Sequence, residues 1–98
     1  MKTYDVLLNP KAEKELRELS KETRKRIKES LSKLSETPKR SRGGADIKKL
    51  AGTSDPELYR LRIGEHRSIY WVDEEREEVL VEKIAPRKKA YRSLHGIQ

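Results

Sequence analysis

The chain has no cysteine, which excludes disulfide bonds and metal sites built on thiolates. It has no apolar run long enough to cross a bilayer and nothing at its start that resembles a signal peptide, so a cytoplasmic protein is expected. Aromatic residues make up 5% of the chain and apolar residues 33%, so every large side chain in the interior has to count. Internal repeats and low-complexity segments are absent as well. With 98 residues there is room for one domain, 1–98. A chain of this size buries roughly 65% of its unfolded surface on folding, enough for one modest core.

Charge is what the sequence has in excess, at 42% of residues. Such a composition accompanies disorder when apolar residues are scattered, but here they recur periodically and a folded domain is expected. The net charge of +7 is uneven: residues 37–72 hold eight cations against four acids, residues 73–82 one against six, and residues 83–98 five against none. That asymmetry favours RNA, DNA or an acidic protein as partner. The Lys and Glu residues of the first third read as solvated helix faces.

Residues 3–8 alternate, with Tyr4, Val6 and Leu8 on one side, and predict a first strand. Asn9-Pro10 then starts a helix, Asn as N-cap and Pro in the first position, followed by Ala12, Leu16 and Leu19 at helical spacing. Ser20 starts a second helix with a stripe of Ile27, Leu31 and Leu34. Thr37-Pro38 ends it, and Lys39-Arg40-Ser41-Arg42-Gly43-Gly44 has the composition of a basic loop. Residues 46–50 are short and read equally as a helical turn or an edge strand. Residues 57–63 and 66–73 alternate on either side of Gly64-Glu65 and predict a tight hairpin, and residues 77–84 predict a further strand after the polar turn Asp73-Glu74-Glu75-Arg76. The order β-α-α-β-β-β predicts an α+β fold, a helical hairpin laid on a small antiparallel sheet.

A two-residue turn pairs Ile63 with His66, Arg62 with Arg67, Leu61 with Ser68 and Arg60 with Ile69. Arg60, Arg62 and Arg67 then share one face, while Leu61, Ile63, Tyr70 and Val72 share the face on which the helices pack. Three guanidiniums on one face repel one another unless an anion lies between them. Each offers a planar donor fork suited to phosphate oxygens. By the same alternation Tyr59 and Tyr70 are core residues and His66 points to the helix side or lies in the turn. Trp71 is also read as core, because its strand is central and other large apolar residues are few. His95 is read as incidental.

The pattern Leu58-Tyr59-Arg60-Leu61-Arg62-Ile63-Gly64-x-x-Arg67-x-Ile69-Tyr70, followed by Ile84-x-x-Arg87-x-x-x-Tyr91-Arg92, resembles the RelE/ParE toxin superfamily of type II toxin–antitoxin systems, and is most similar to its archaeal RelE-like branch. The resemblance takes in the first strand, the helical hairpin and Asp46-Ile47-Lys48-Lys49-Leu50-x-Gly52. It implies an endoribonuclease that enters the ribosomal A site and cuts messenger by attack of a ribose 2′-hydroxyl on the adjacent phosphate. The implied catalytic residues are Arg60, Arg62, Arg67, Arg87 and Tyr91, the tyrosine placed to stack on a base. Lys48, Lys49, Lys88, Lys89 and Arg92 are the cations expected to bind RNA. The bacterial prototype has lysines where Arg60 and Arg62 stand, and arginine stays protonated, so the resemblance names no general base here.

Two other readings go with the same pattern: a ParE-like toxin that binds and poisons DNA gyrase, or a weakened homologue retained for binding antitoxin. In each case the implied partner is a small antitoxin, acidic or carrying an amphipathic helix. No metal and no organic cofactor is indicated, since no cluster of ligands is visible.

Overall fold

The computed structural model describes residues 3–41 and 44–91. Strand β1 (Asp5–Leu8) leads into α1 (Pro10–Arg17) and α2 (Lys21–Ser32), which tightens into a 3-10 turn (Lys33–Ser35). Strands β2 (Asp46–Lys49), β3 (Tyr59–Ile63), β4 (His66–Asp73) and β5 (Glu78–Pro86) follow, and a short helix α3 (Arg87–Ala90) comes after them. The helix starts are those the sequence announces. Asn9 Oδ1 accepts the Ala12 N–H at 2.7 Å with Pro10 behind it, and Ser20 Oγ accepts the Thr23 N–H at 3.3 Å.

The five strands form one sheet in the order β1-β5-β4-β3-β2. The α+β class stands, with one refinement. Pairing is antiparallel throughout except at one margin, where β1 runs parallel to β5. Local alternation does not reveal that pairing, since β1 and β5 meet from opposite ends of the chain. Residues 46–50, open between turn and strand in the sequence, supply the edge strand β2.

The hairpin register is the predicted one: Ile63 faces His66, Arg62 faces Arg67, Leu61 faces Ser68 and Arg60 faces Ile69. Gly64 takes φ +57° in the two-residue turn, a conformation that side chains with a Cβ adopt at a cost. Between β4 and β5 the register shifts after Ile69, leaving Glu82 unpaired. This bulge lets Val79, Val81 and Ile84 all face the helices although their spacing is not strictly even.

One face of the sheet is closed by α1 and α2. Ala12, Leu16, Ile27, Leu31 and Leu34 meet Ile47, Tyr59, Leu61, Ile63, Tyr70, Val79, Val81 and Ile84 in a single core. Tyr59 and Tyr70 stack with ring centroids 5.8 Å apart. Trp71 departs from the expectation. It points to the opposite side from Tyr70, is half-buried outside the core, and donates its ring N–H to Glu82 Oε1 at 2.7 Å. Ser68 lies fully buried in β4, and among the described residues its hydroxyl has no hydrogen-bond partner.

The connection after α2 touches the sheet in three places. The Tyr4 N–H, just before β1, donates to Ser35 O at 2.7 Å, and the Tyr70 hydroxyl donates to Pro38 O at 2.6 Å. Ser41 Oγ accepts the Ile47 N–H at 2.8 Å and donates to Ile47 O at 3.0 Å, occupying the outward main-chain groups of β2 at that residue. Burial, with Tyr59 second, pushes the Tyr70 hydroxyl pKa above its ordinary range.

Candidate functional site

The sheet face away from α1 and α2 carries the arginines. Strand alternation and register put Arg60 and Arg62 of β3, Arg67 of β4, and Asp46 and Lys48 of β2 on this side together. The repulsion anticipated among the guanidiniums is relieved by two devices. Asp46, directly opposite Arg62 in the register, places its carboxylate between two of them: Oδ1 lies 3.2 Å from Arg60 Nη1 and Oδ2 lies 3.9 Å from Arg62 Nη1. Arg60 Nη1 also donates to the Asp46 carbonyl at 3.3 Å. The second device holds Arg67, whose Nη1 donates to Gly64 O at 2.8 Å and His66 O at 2.9 Å.

The three arginines are therefore unequal. The Arg62 side chain is 58% exposed and the Arg60 side chain only 14%, while Arg67 as a residue is 6% exposed. Arg62 is offered to solvent, Arg60 is held at the surface, and Arg67 is built into the turn. Alternation gives the face of a side chain but not its depth, which is why the sequence reads three equivalent cations.

Helix α3 packs on the same side, against β4 and β5, with Ala90 fully buried beside the two strands that bear Ile69 and Ala85. Its first residue is tied to the hairpin, since the Arg87 N–H donates to Glu65 O at 2.8 Å. Arg87 and Lys88 are exposed here, and Tyr91, which closes the helix, is 41% exposed. The C-terminal cations are thus anchored at the turn that holds Arg67.

Other expected members separate from this group. Lys49 lies on the helix side of the sheet, in register with Tyr59, and pairs with Glu57. The hydrogen bond and charge of that pair raise the Lys49 pKa and lower that of Glu57. Lys89 lines a groove of about 380 Å³ with Glu15, Glu18, Lys83 and Pro86, on the α1 side rather than beside Arg60 and Arg62. His66 is half-buried in register with Ile63, on the helix side. Arg92 and His95 lie outside the described residues.

Two residues were not singled out from the sequence. Asp46 owes its position to the pairing of β2 with β3 across a nine-residue connection, which no local pattern fixes. Arg26 of α2 lies over the turn: a Cβ placed on Gly64 would stand 3.0 Å from Arg26 Nη2. The signal for Arg26 was its place beside Ile27 of the apolar stripe, at the margin of the buried helix face. Among the described residues no group of three or more His, Asp or Glu side chains is placed to hold a metal ion. No described helix is long and apolar enough to cross a membrane.

As a chemical device, this face presents guanidinium donors on a rigid sheet, next to a short helix that begins at Arg87 and is closed by the exposed Tyr91. It suits a phosphodiester with an unstacked base.

A family model for the ParE toxin of the type II toxin–antitoxin system parDE matches residues 6–91. A search of curated proteins gave no match. Among solved structures, the archaeal RelE–RelB complex from Pyrococcus horikoshii OT3 is 35% identical, covers 90% of this chain and 99% of its own, and superposes with a TM-score of 0.74. The intact E. coli RelBE toxin–antitoxin complex is 26% identical over 85% of this chain and 95% of its own, with a TM-score of 0.58. The RelB–RelE antitoxin–toxin complex from Methanococcus jannaschii, 24% identical over 90% of this chain and 98% of its own, shares the fold with a TM-score of 0.68. With a family model spanning most of its length and a RelE relative matched almost end to end, the chain belongs to the RelE/ParE superfamily of type II toxins.

Proposed function

We propose that this chain is a toxin that cleaves messenger RNA in the ribosomal A site, as a single domain and without a metal or organic cofactor. The observation that carries the reading is the arrangement of Arg62, Arg60 and Arg67 on one rigid face, with the start of α3 bonded to the same turn through Arg87 N and Glu65 O. In the proposed reaction the ribose 2′-oxygen attacks the neighbouring phosphorus and the 5′-oxygen of the next nucleotide leaves. A 2′,3′-cyclic phosphate and a 5′-hydroxyl result. Charge builds on the nonbridging oxygens, and guanidiniums presented to them from the sheet and α3 stabilise the transition state more than the ground state. Arg62 and Arg87, both exposed, take that role; Arg60 and Arg67 hold the surface that presents them. Tyr91 stacks on the displaced base, and Lys48 and Lys88 bind the flanking backbone.

The test is primer extension on translating ribosomes with purified protein. Cleavage within the A-site codon is expected, and intact messenger at stoichiometric protein would overturn the reading. The family model described for ParE toxins favours a second reading, a gyrase poison. A supercoiling assay separates the two, because a nuclease of this kind leaves gyrase turnover unchanged.

The solved RelE–RelB and RelBE complexes support a cognate antitoxin as partner. An acidic antitoxin laid over the arginine face should bind more weakly as salt rises. Affinity unchanged between low and high salt would assign the contact to apolar grooves instead.

A further inference from the structure

The arginine face already holds an anion of its own. Asp46 is half exposed, and its carboxylate reaches Arg60 at 3.2 Å and Arg62 at 3.9 Å, so it sits where a phosphate oxygen accepting from both guanidiniums would sit. We propose that Asp46 is an internal occupant of the phosphate site, bridging Arg60 and Arg62 in the free protein and displaced when a phosphodiester enters. The inference rests on the nucleic-acid reading of this face and adds a restraint to it.

Three features favour a displaceable occupant over a fixed structural ion pair. Arg60 does not depend on the carboxylate for its position, because its Nη1 also donates to the Asp46 main-chain carbonyl. The contact to Arg62 is long, and both of its partners are half exposed or more, so the pair is weak and open to exchange. Asp46 also stands on the edge strand, whose outward main-chain groups at Ile47 are held by Ser41, so the side chain can rotate away without unpairing β2. A carboxylate in this place fills the gap between the two guanidiniums and lowers the net charge of the patch. Loosely held polyanions gain little there, whereas a phosphate delivered in the right geometry gains both forks at once.

The test uses the full-length protein, titrated with inorganic phosphate and followed by NMR of the arginine side-chain resonances. Asp46→Asn keeps the shape and the main-chain carbonyl but removes the charge. It is expected to bind phosphate about fivefold more tightly at low salt, the equivalent of one exposed ion pair. Adding Arg62→Ala to that variant is expected to abolish the gain. Equal, weaker or undetectable binding by a folded Asp46→Asn protein would overturn the inference, because the carboxylate would then be orienting the arginines rather than competing for them. A fivefold gain that survives Arg62→Ala would overturn it too. Ribosomal cleavage is scored separately. A phosphate gain without cleavage sustains the internal occupant and removes the nuclease reading, and cleavage without a phosphate gain does the reverse.

Discussion

The two faces of the sheet are written by the same strands and differ in what alternation delivers to each. Toward α1 and α2, Leu61, Ile63, Tyr70, Val79 and Val81 are almost wholly buried, and the side chains find their partners by exclusion of water. On the other side, Arg60, Arg62 and Arg67 find theirs one at a time, in Asp46 and in the carbonyls of a turn. The first face tolerates no missing volume. The second is held by ion pairs and hydrogen bonds, buried at Arg67 and open to exchange with solvent or ligand at Arg62. The comparison teaches that stability and activity are separable here by one step along a strand.

The strongest way to break that separation is one substitution on each side of the sheet. Leu61→Ala, removing a fully buried side chain at the centre of the helix-covered face, should cost about 4 kcal/mol of stability in denaturant melts. A loss below about 1 kcal/mol would show that this face is not the rigid one. Arg87→Ala, on the exposed start of α3, should lower the cleavage rate by roughly 100-fold, about 3 kcal/mol of transition-state stabilisation, with the melting temperature nearly unmoved. Full activity in that variant would remove Arg87 from the site.

Arg67 is where the two faces meet, since it is buried yet basic. Its replacement by Ala should cost about 2 kcal/mol of stability as well as activity, through the lost bonds to Gly64 and His66. An effect on activity alone would place it with Arg62. Tyr70→Phe should cost about 1 kcal/mol at neutral pH by removing the bond to Pro38. The pH dependence has a definite sign. The folded chain keeps the Tyr70 proton where the unfolded chain releases it, near pH 10, so this contribution is complete below that pH and is lost as pH rises above it. Melts of the Phe variant should show a shallower alkaline decline than the parent protein. The smallest effect is expected at Ser68. Changing it to Ala removes a buried hydroxyl without a partner among the described residues and should raise stability by up to about 1 kcal/mol, and a clear loss would reveal a partner for that hydroxyl.

Local chemistry made much of this legible in the sequence. Asn9-Pro10 and Ser20 marked the helix starts, and Gly64-Glu65 between two alternating runs set a register that put the arginines on one face. What stayed hidden depends on segments that meet from a distance. The β2–β3 pairing brought Asp46 to Arg62 and turned Lys49 to the other side, and the parallel β1–β5 pairing leaves no trace in either strand. Trp71 departs for a different reason: scarcity of large apolar residues argues for the core, but parity with Ile69 carries it to the opposite face, where Glu82 takes its N–H.

The segment 35–41 gives one more consequence, which concerns other copies of the chain. A sheet grows by recruiting a strand to its open margin, and this protein fills part of each margin from a single connection: Ser35 at the entrance to β1, Ser41 along β2, and Pro38 fastened to Tyr70 between them. Removing the Ser41 hydroxyl bares a donor and an acceptor on the outermost strand while the core stays intact. Edge-to-edge association of folded copies, rather than unfolding, is then the expected consequence of Ser41→Ala, and light scattering below the melting temperature checks it.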